Sequence, residues 1–181
     1  MVFLNGYQFG CTDRPTFEGT FGDANQVLER DGRVSLFFNN CDVPGNPPIE
    51  VLGNAFRDYL NGLQFTGGRP VTQVDVVAHS MGGMIVRSYL AGKQTARGVF
   101  QPPADPKIRR VVFLAVPFFG SFLADFTDVL PGYRLDEQTR ELQPGSAFTF
   151  DLATWNQGRE DLRGVDALAV ITNGGSAGAT F

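Results

Sequence analysis

The sequence predicts an α/β fold, a predominantly parallel sheet flanked by helices, and three observations predict it. Apolar, β-branched runs recur along the chain at Val2–Leu4, Val34–Phe38, Val74–Ala78, Ile108–Val116 and Ala167–Thr172. Segments with apolar residues at three- and four-residue steps fall between them, and alternation of this kind implies parallel strands with helices on both faces. The 181 residues are 43% hydrophobic, which is one domain's worth of chain and enough to bury a single core.

Each element has a local reason. Val2–Leu4 is a short apolar strand that leads into a long loop, and a helix follows around Asp23–Arg30. Gly32 stops that helix, since glycine takes the left-handed conformation past a helix end without a Cβ penalty. After the strand Val34–Phe38, Pro47-Pro48 opens a helix, proline being tolerated in the first turn. Its apolar positions Ile49, Leu52, Phe56, Tyr59, Leu60 and Leu63 recur with helical spacing. The strand Val74–Ala78 runs into a second such helix marked by Met84, Ile85, Ser88, Tyr89 and Leu90. The strand Ile108–Val116 and a last strand near Ala167–Thr172 complete the set, and Asn173-Gly174-Gly175-Ser176-Ala177-Gly178 reads as a loop. No repeat or long low-complexity tract interrupts the chain.

Charge and composition narrow the function. A net charge of −4 with only two lysines provides no basic surface for nucleic acid. No apolar run approaches the ~20 residues that cross a bilayer as a helix. Two distant cysteines and one histidine are too few for a metal site, and no cofactor is implied.

The chemistry concentrates at Val74-Asp75-Val76-Val77-Ala78-His79-Ser80-Met81-Gly82-Gly83-Met84. The apolar run breaks at a serine with small residues, Ala78 and Gly82, two positions before and after it. A buried strand that reverses into a helix within so few residues places the serine on a sharp turn and pushes its hydroxyl clear of the backbone. A plain Gly/Ser turn is the bland alternative. Residues 74–90 resemble the esterase and lipase branch of the α/β-hydrolase superfamily, with alanine in place of the usual first glycine of the nucleophile elbow. Met1-Val2-Phe3-Leu4-Asn5-Gly6-Tyr7-Gln8 is similar to the strand and loop that supply half of that family's oxyanion hole, Asn5 standing where the family usually has histidine. The resemblance implies that the amides of Tyr7 and Met81 receive the oxyanion and that Ser80 is the nucleophile. Backbone donors do not depend on the side chain, so such a hole can form with Asn5 in this place; a plain turn after a strand is the alternative for Asn5-Gly6. Lys107–Ser121, ending in Pro117-Phe118-Phe119-Gly120-Ser121, resembles the strand after the elbow helix and the turn that follows it.

The resemblance also implies an acid and then a histidine after the nucleophile, and no histidine follows Ser80. His79, the one histidine, sits next to the nucleophile, where successive side chains diverge, and a structural role beside the strand is the expectation for it. Both ends look cut, so the chain reads as a single α/β-hydrolase domain over 1–181, incomplete at each end and lacking its C-terminal strand and histidine loop. The absent segment is expected to supply the base, and a degenerate, inactive domain is the competing account. Asp125 and Asp128 are the candidate catalytic acids, against the alternative of solvated surface charges. Ser176 lies in a second G-x-S-x-G string that has no room for a following helix, and a flexible loop is the reading there.

Phe118, Phe119, Phe122 and Phe126 crowd just past a strand end and are candidates for an acyl-binding wall, within a stretch, 117–160, that would form a lid or cap; an ordinary core helix is the alternative. Phe148, Phe150, Leu152 and Trp155 are a second apolar set assigned to the same cap. By the family's sheet order, Cys11 and Cys41 follow neighbouring strands, so a disulfide is expected, with two free thiols as the alternative; a bridge implies secretion. The expectation is a serine carboxylester hydrolase that acts on a small-molecule or lipid ester with an apolar acyl group and touches a lipid interface transiently. An amidase, thioesterase or acyltransferase on the same elbow, and a non-catalytic binding domain, stay open.

Overall fold

The structure, a computed structural model, describes residues 1–122, 124, 136–156 and 162–171. Five strands form one sheet: β1 (Val2–Leu4), β2 (Leu36–Phe38), β3 (Val74–His79), β4 (Ile108–Leu114) and β5 (Asp166–Val170), in the order β2-β1-β3-β4-β5. Every pairing is parallel, with Val2 opposite both Leu36 and Val76, and Ala78 opposite Phe113.

The helices take their places from the handedness of parallel connections. A crossover between parallel strands is right-handed, so the direction of travel along the sheet decides the face on which the connecting helix lies. The chain steps one way from β1 to β2, through α1 (Phe17–Phe21) and α2 (Ala24–Arg30). It steps the other way from β2 to β3, β3 to β4 and β4 to β5, through α3 (Ile49–Gly62), α4 (Met81–Ala91), and α5 and α6 (Glu137–Glu141, Ala147–Thr154). Side-chain alternation along the strands agrees. Phe3 and Phe37 turn toward Phe17 and Phe21 of α1, with ring centroids 4.7–6.4 Å apart. Their neighbours Leu4 and Phe38 turn the opposite way, Phe38 meeting Phe56 of α3 edge-on at 5.2 Å. The main core lies on this second face, where Ile49, Leu52, Phe56 and Leu60 of α3 and Met84, Ile85 and Leu90 of α4 are buried against Val2, Leu4, Val76 and Ala78. Burial of each such side chain is worth roughly 1.5–3 kcal/mol.

Several sequence expectations shift by a residue or two. α2 ends as expected: Gly32 and Arg33 donate to the carbonyls of Glu29 and Leu28, with Gly32 at φ 68°. β2 starts at Leu36 rather than Val34, because the ladder begins where Val2 faces Leu36. β4 ends at Leu114 rather than Val116, since Ala115 at φ 49° leaves the extended conformation. Phe148 and Leu152 of α6 fill the core, whereas Phe150 is exposed and Trp155 packs on Phe100.

Away from the C-terminal end of β3, Lys93 is almost fully buried between Glu50 (3.4 Å) and Asp151 (3.2 Å), and its ammonium also donates to the carbonyls of Gln94 and Ala96. These contacts tie the α3 start and α6 to the loop after α4. Glu141 accepts the Ile49 amide at 2.6 Å and lies against Glu50; burial, with that second carboxyl beside it, pushes Glu141 up to about 9. A cavity of about 240 Å³ opens beside these groups, lined also by Arg97 and Arg140.

Candidate active site

The sheet order places a crevice between β1 and β3. Connections leave these adjacent strands in opposite directions, so the loops at their carboxyl ends part, which is where open α/β sheets bind ligands. Ser80 follows β3, and Asn5-Gly6-Tyr7 follows β1.

Ser80 sits at φ 52°, ψ −127°, a conformation that side chains with a Cβ rarely adopt and that costs of order 1–3 kcal/mol. Its backbone is held on both sides: the amide donates to Leu114 of β4 at 2.9 Å, and the carbonyl accepts from Gly83 at 3.0 Å in the first turn of α4. The side chain is left over. Among the described residues no hydrogen bond engages Ser80 Oγ, while Met81, fully buried, begins α4, where the first amides have no acceptor within the helix. Close approach fixes the neighbours as glycine. A Cβ on Gly82 would lie 2.6 Å from the Asn5 carbonyl, and one on Gly6 would lie 2.9 Å from Ser80 Cβ and 3.3 Å from Ser80 Oγ. The loop after β1 therefore passes directly beside the serine.

That loop is held by side chains distant in sequence. The side chains of Asn5 and Asn40 are buried, and two hydrogen bonds join the residues: Asn5 Nδ2 donates to Asn40 Oδ1 at 2.7 Å, and the Asn40 backbone N–H donates to Asn5 Oδ1 at 3.1 Å. Both also donate to the Gly6 carbonyl, at 3.0 and 2.9 Å. On the other flank, the Tyr7 hydroxyl donates to Asp136 Oδ2 at 2.7 Å, as does Asn46 Nδ2, and Thr139 gives its amide and hydroxyl to Asp136 Oδ1. Burial works to raise the Asp136 carboxyl, but the bonds donated by Thr139, Tyr7 and Asn46 outweigh it and hold it below the usual range. A disulfide joins Cys11, four residues past Tyr7, to Cys41, next to Asn40, with Cα atoms 5.4 Å apart.

Solved structures share this arrangement of strands and helices. Phospholipase PlaB from Legionella pneumophila is similar over 93% of this chain and 36% of its own, at 18% identity and a TM-score of 0.67. The lipase BlEst2 from Bacillus licheniformis is similar over 93% of this chain and 63% of its own, at 17% identity and a TM-score of 0.65. The chain has the α/β-hydrolase fold. It spans just over a third of the PlaB chain and under two thirds of BlEst2. No protein-family model matches it, and no curated protein matches it in sequence.

Within this α/β-hydrolase fold, Ser80, Met81 and the Tyr7 loop come together at the crevice. His79 is half-buried, its imidazole pushed down by burial, and its Nδ1 has no hydrogen-bond partner among the described residues. No hydrogen bond joins its ring to the Ser80 hydroxyl. Phe118 packs edge-on against Phe113 at 5.1 Å and under the Arg87 guanidinium at 5.2 Å. Phe119 and Phe122 are 78% and 74% exposed. Asp125, Asp128, Phe126 and Ser176 lie outside the described residues. Sequence reasoning missed Asn40 and Asp136. The only local hint of Asn40 is its position: it falls at the end of a strand, two residues past Phe38, where a buried polar side chain must find partners.

Proposed function

We propose that this chain carries the nucleophile and oxyanion hole of a serine carboxylester hydrolase acting on esters with apolar acyl groups. The observation that carries the reading is Ser80, held at φ 52° between β3 and α4 with the Gly6 backbone beside its hydroxyl. Ser80 Oγ attacks the ester carbonyl, its proton passing to a general base as the carbonyl oxygen takes up negative charge. The Tyr7 and Met81 amides stabilise that oxyanion, each such donor being worth about 2.7–4 kcal/mol. Collapse breaks the carbon–oxygen bond, the base returns the proton to the departing alcohol, and water then hydrolyses the acyl-enzyme to regenerate Ser80.

The base is a histidine supplied from outside these 181 residues, since the His79 imidazole makes no hydrogen bond to Ser80 Oγ. Among the described residues no strand pairs with the outer edge of β5, where Leu168 is 59% exposed, and this supports the pairing of a further strand that would bring it. Asp125 or Asp128 serves as the acid. Exposed Phe119 and Phe122 support an apolar acyl site and transient contact with a lipid interface. The disulfide supports a secreted protein.

The test is labelling of the natural protein by a fluorophosphonate, together with hydrolysis of p-nitrophenyl esters of graded acyl length. Both are expected to vanish in Ser80→Ala. Turnover that survives this change refutes Ser80 as nucleophile, and a protein that binds esters without Ser80-dependent turnover points to the non-catalytic reading. Faster turnover of amides, thioesters or an alcohol acceptor would reassign the acyl chemistry.

A further inference from the structure

The Gly6–Tyr7 peptide is gripped in a way that ordinary turn geometry does not require. Its carbonyl takes two hydrogen bonds, from Asn5 Nδ2 and Asn40 Nδ2, so both lone pairs are filled by buried carboxamides. The orientation of those carboxamides is forced. The Asn40 backbone amide can only donate, which makes the Asn5 atom facing it the oxygen. Asn5 Nδ2 must then face an acceptor, which makes that Asn40 atom Oδ1 and turns Asn40 Nδ2 onto Gly6. The peptide bonds here are trans, so the Tyr7 N–H points opposite to the Gly6 carbonyl, away from the asparagine pair. Reversing this peptide would strand two buried donors at once, a cost of roughly 1–3 kcal/mol for each.

We propose that Asn40 is a positioning residue for the oxyanion hole: working with Asn5, it fixes the Gly6–Tyr7 peptide plane and thereby aims the Tyr7 amide at the oxyanion formed on Ser80. This inference rests on the serine hydrolase reading and adds to it a side chain 40 residues before the nucleophile. Asn5 replaces the family's usual histidine, and here its side chain is part of the same clamp rather than an indifferent substitution. Asn40 is itself held in place: Asn39 Oδ1 accepts the Cys41 amide at 2.9 Å, and Cys41 is tied to the far end of the Tyr7 loop through Cys11.

The test is Asn40→Asp in the natural protein, beside wild type and Ser80→Ala. Aspartate keeps the acceptor for Asn5 but sets a carboxylate oxygen against the Gly6 carbonyl in place of the donor 2.9 Å away. The expected result is a fall in kcat of roughly 10²-fold, the scale of one lost oxyanion donor, with KM within a factor of about three. Affinity for a boronic acid, which forms a tetrahedral adduct on the serine, should fall in step with kcat, whereas a merely structural defect would lower the active fraction and leave both constants of the remainder unchanged. A second measurement needs no variant: in wild type labelled with ¹⁵N-tyrosine, the Tyr7 amide proton should move downfield when the adduct forms. Wild-type kcat in folded Asn40→Asp, or a rise in KM alone, overturns the proposal while Ser80-dependent turnover keeps the enzyme assignment standing. Should Asn40→Asp fail to fold, an unmoved Tyr7 amide in the wild-type adduct overturns it. Absence of any Ser80-dependent hydrolysis in wild type overturns both readings together.

Discussion

Removing the Cys11–Cys41 bridge should lower stability by an amount set by the loop it closes. The two residues are 30 apart, and restricting a loop of that length in the unfolded chain is worth about 3.6 kcal/mol in the chain-entropy relation. At ~2.1 cal/mol/K per residue, a chain of 181 residues has an unfolding entropy of roughly 0.38 kcal/mol/K, so the loss corresponds to about 10 °C in Tm. The bridge also flanks the Tyr7 loop on one side and Asn40 on the other, so kcat should fall as well. The measurement is thermal unfolding by circular dichroism of wild type and Cys11→Ser/Cys41→Ser, each with and without reductant. Only wild type should respond to reductant. Equal Tm values for the two proteins, or two alkylatable thiols in unreduced wild type, would refute the reasoning and remove the support for secretion.

Three other outcomes follow from the same structure. Glu141 titrates at about 9 in the folded protein against an ordinary value of 4.5, so the unfolded chain gives up this proton first and the group's contribution erodes as pH rises from about 4.5 through about 9. Glu141→Gln, which can still accept from Ile49 and donate to Glu50, should leave Tm unchanged near pH 4 and raise it at pH 8, and a pH-independent effect would count against the buried carboxyl pair. Lys93→Met leaves the Glu50 and Asp151 carboxylates facing each other without their cation and should cost about 3–5 kcal/mol in urea unfolding; a neutral change would show the cluster to be hydrated. Phe122→Ala should slow hydrolysis of long acyl esters more than of acetate, by ~0.8 kcal/mol per methylene that loses its apolar contact, and equal losses on both would place Phe122 outside the acyl site.

Local sequence determined the elements whose signal repeats within a few residues. α3 was legible because Ile49, Leu52, Phe56 and Leu60 recur on one face, and those four are buried. The Ser80 turn was legible because a strand that must become a helix at once needs small residues at 78 and 82, and Gly82 passes within 2.6 Å of the Asn5 carbonyl if given a Cβ. α1 leaves no such signal: its five residues are too few to show a period, and what holds it is Phe17 and Phe21 against Phe3 on a strand elsewhere in the chain. The grip on the Tyr7 loop was beyond the sequence altogether. Asn40 reaches Asn5 across 35 residues and Asp136 reaches Tyr7 across 129, and bonds of that kind follow no period and need no particular neighbour in the chain. Only the packing of β2 beside β1, and of α5 over the loop after β1, decides which polar side chains are buried together and must satisfy one another.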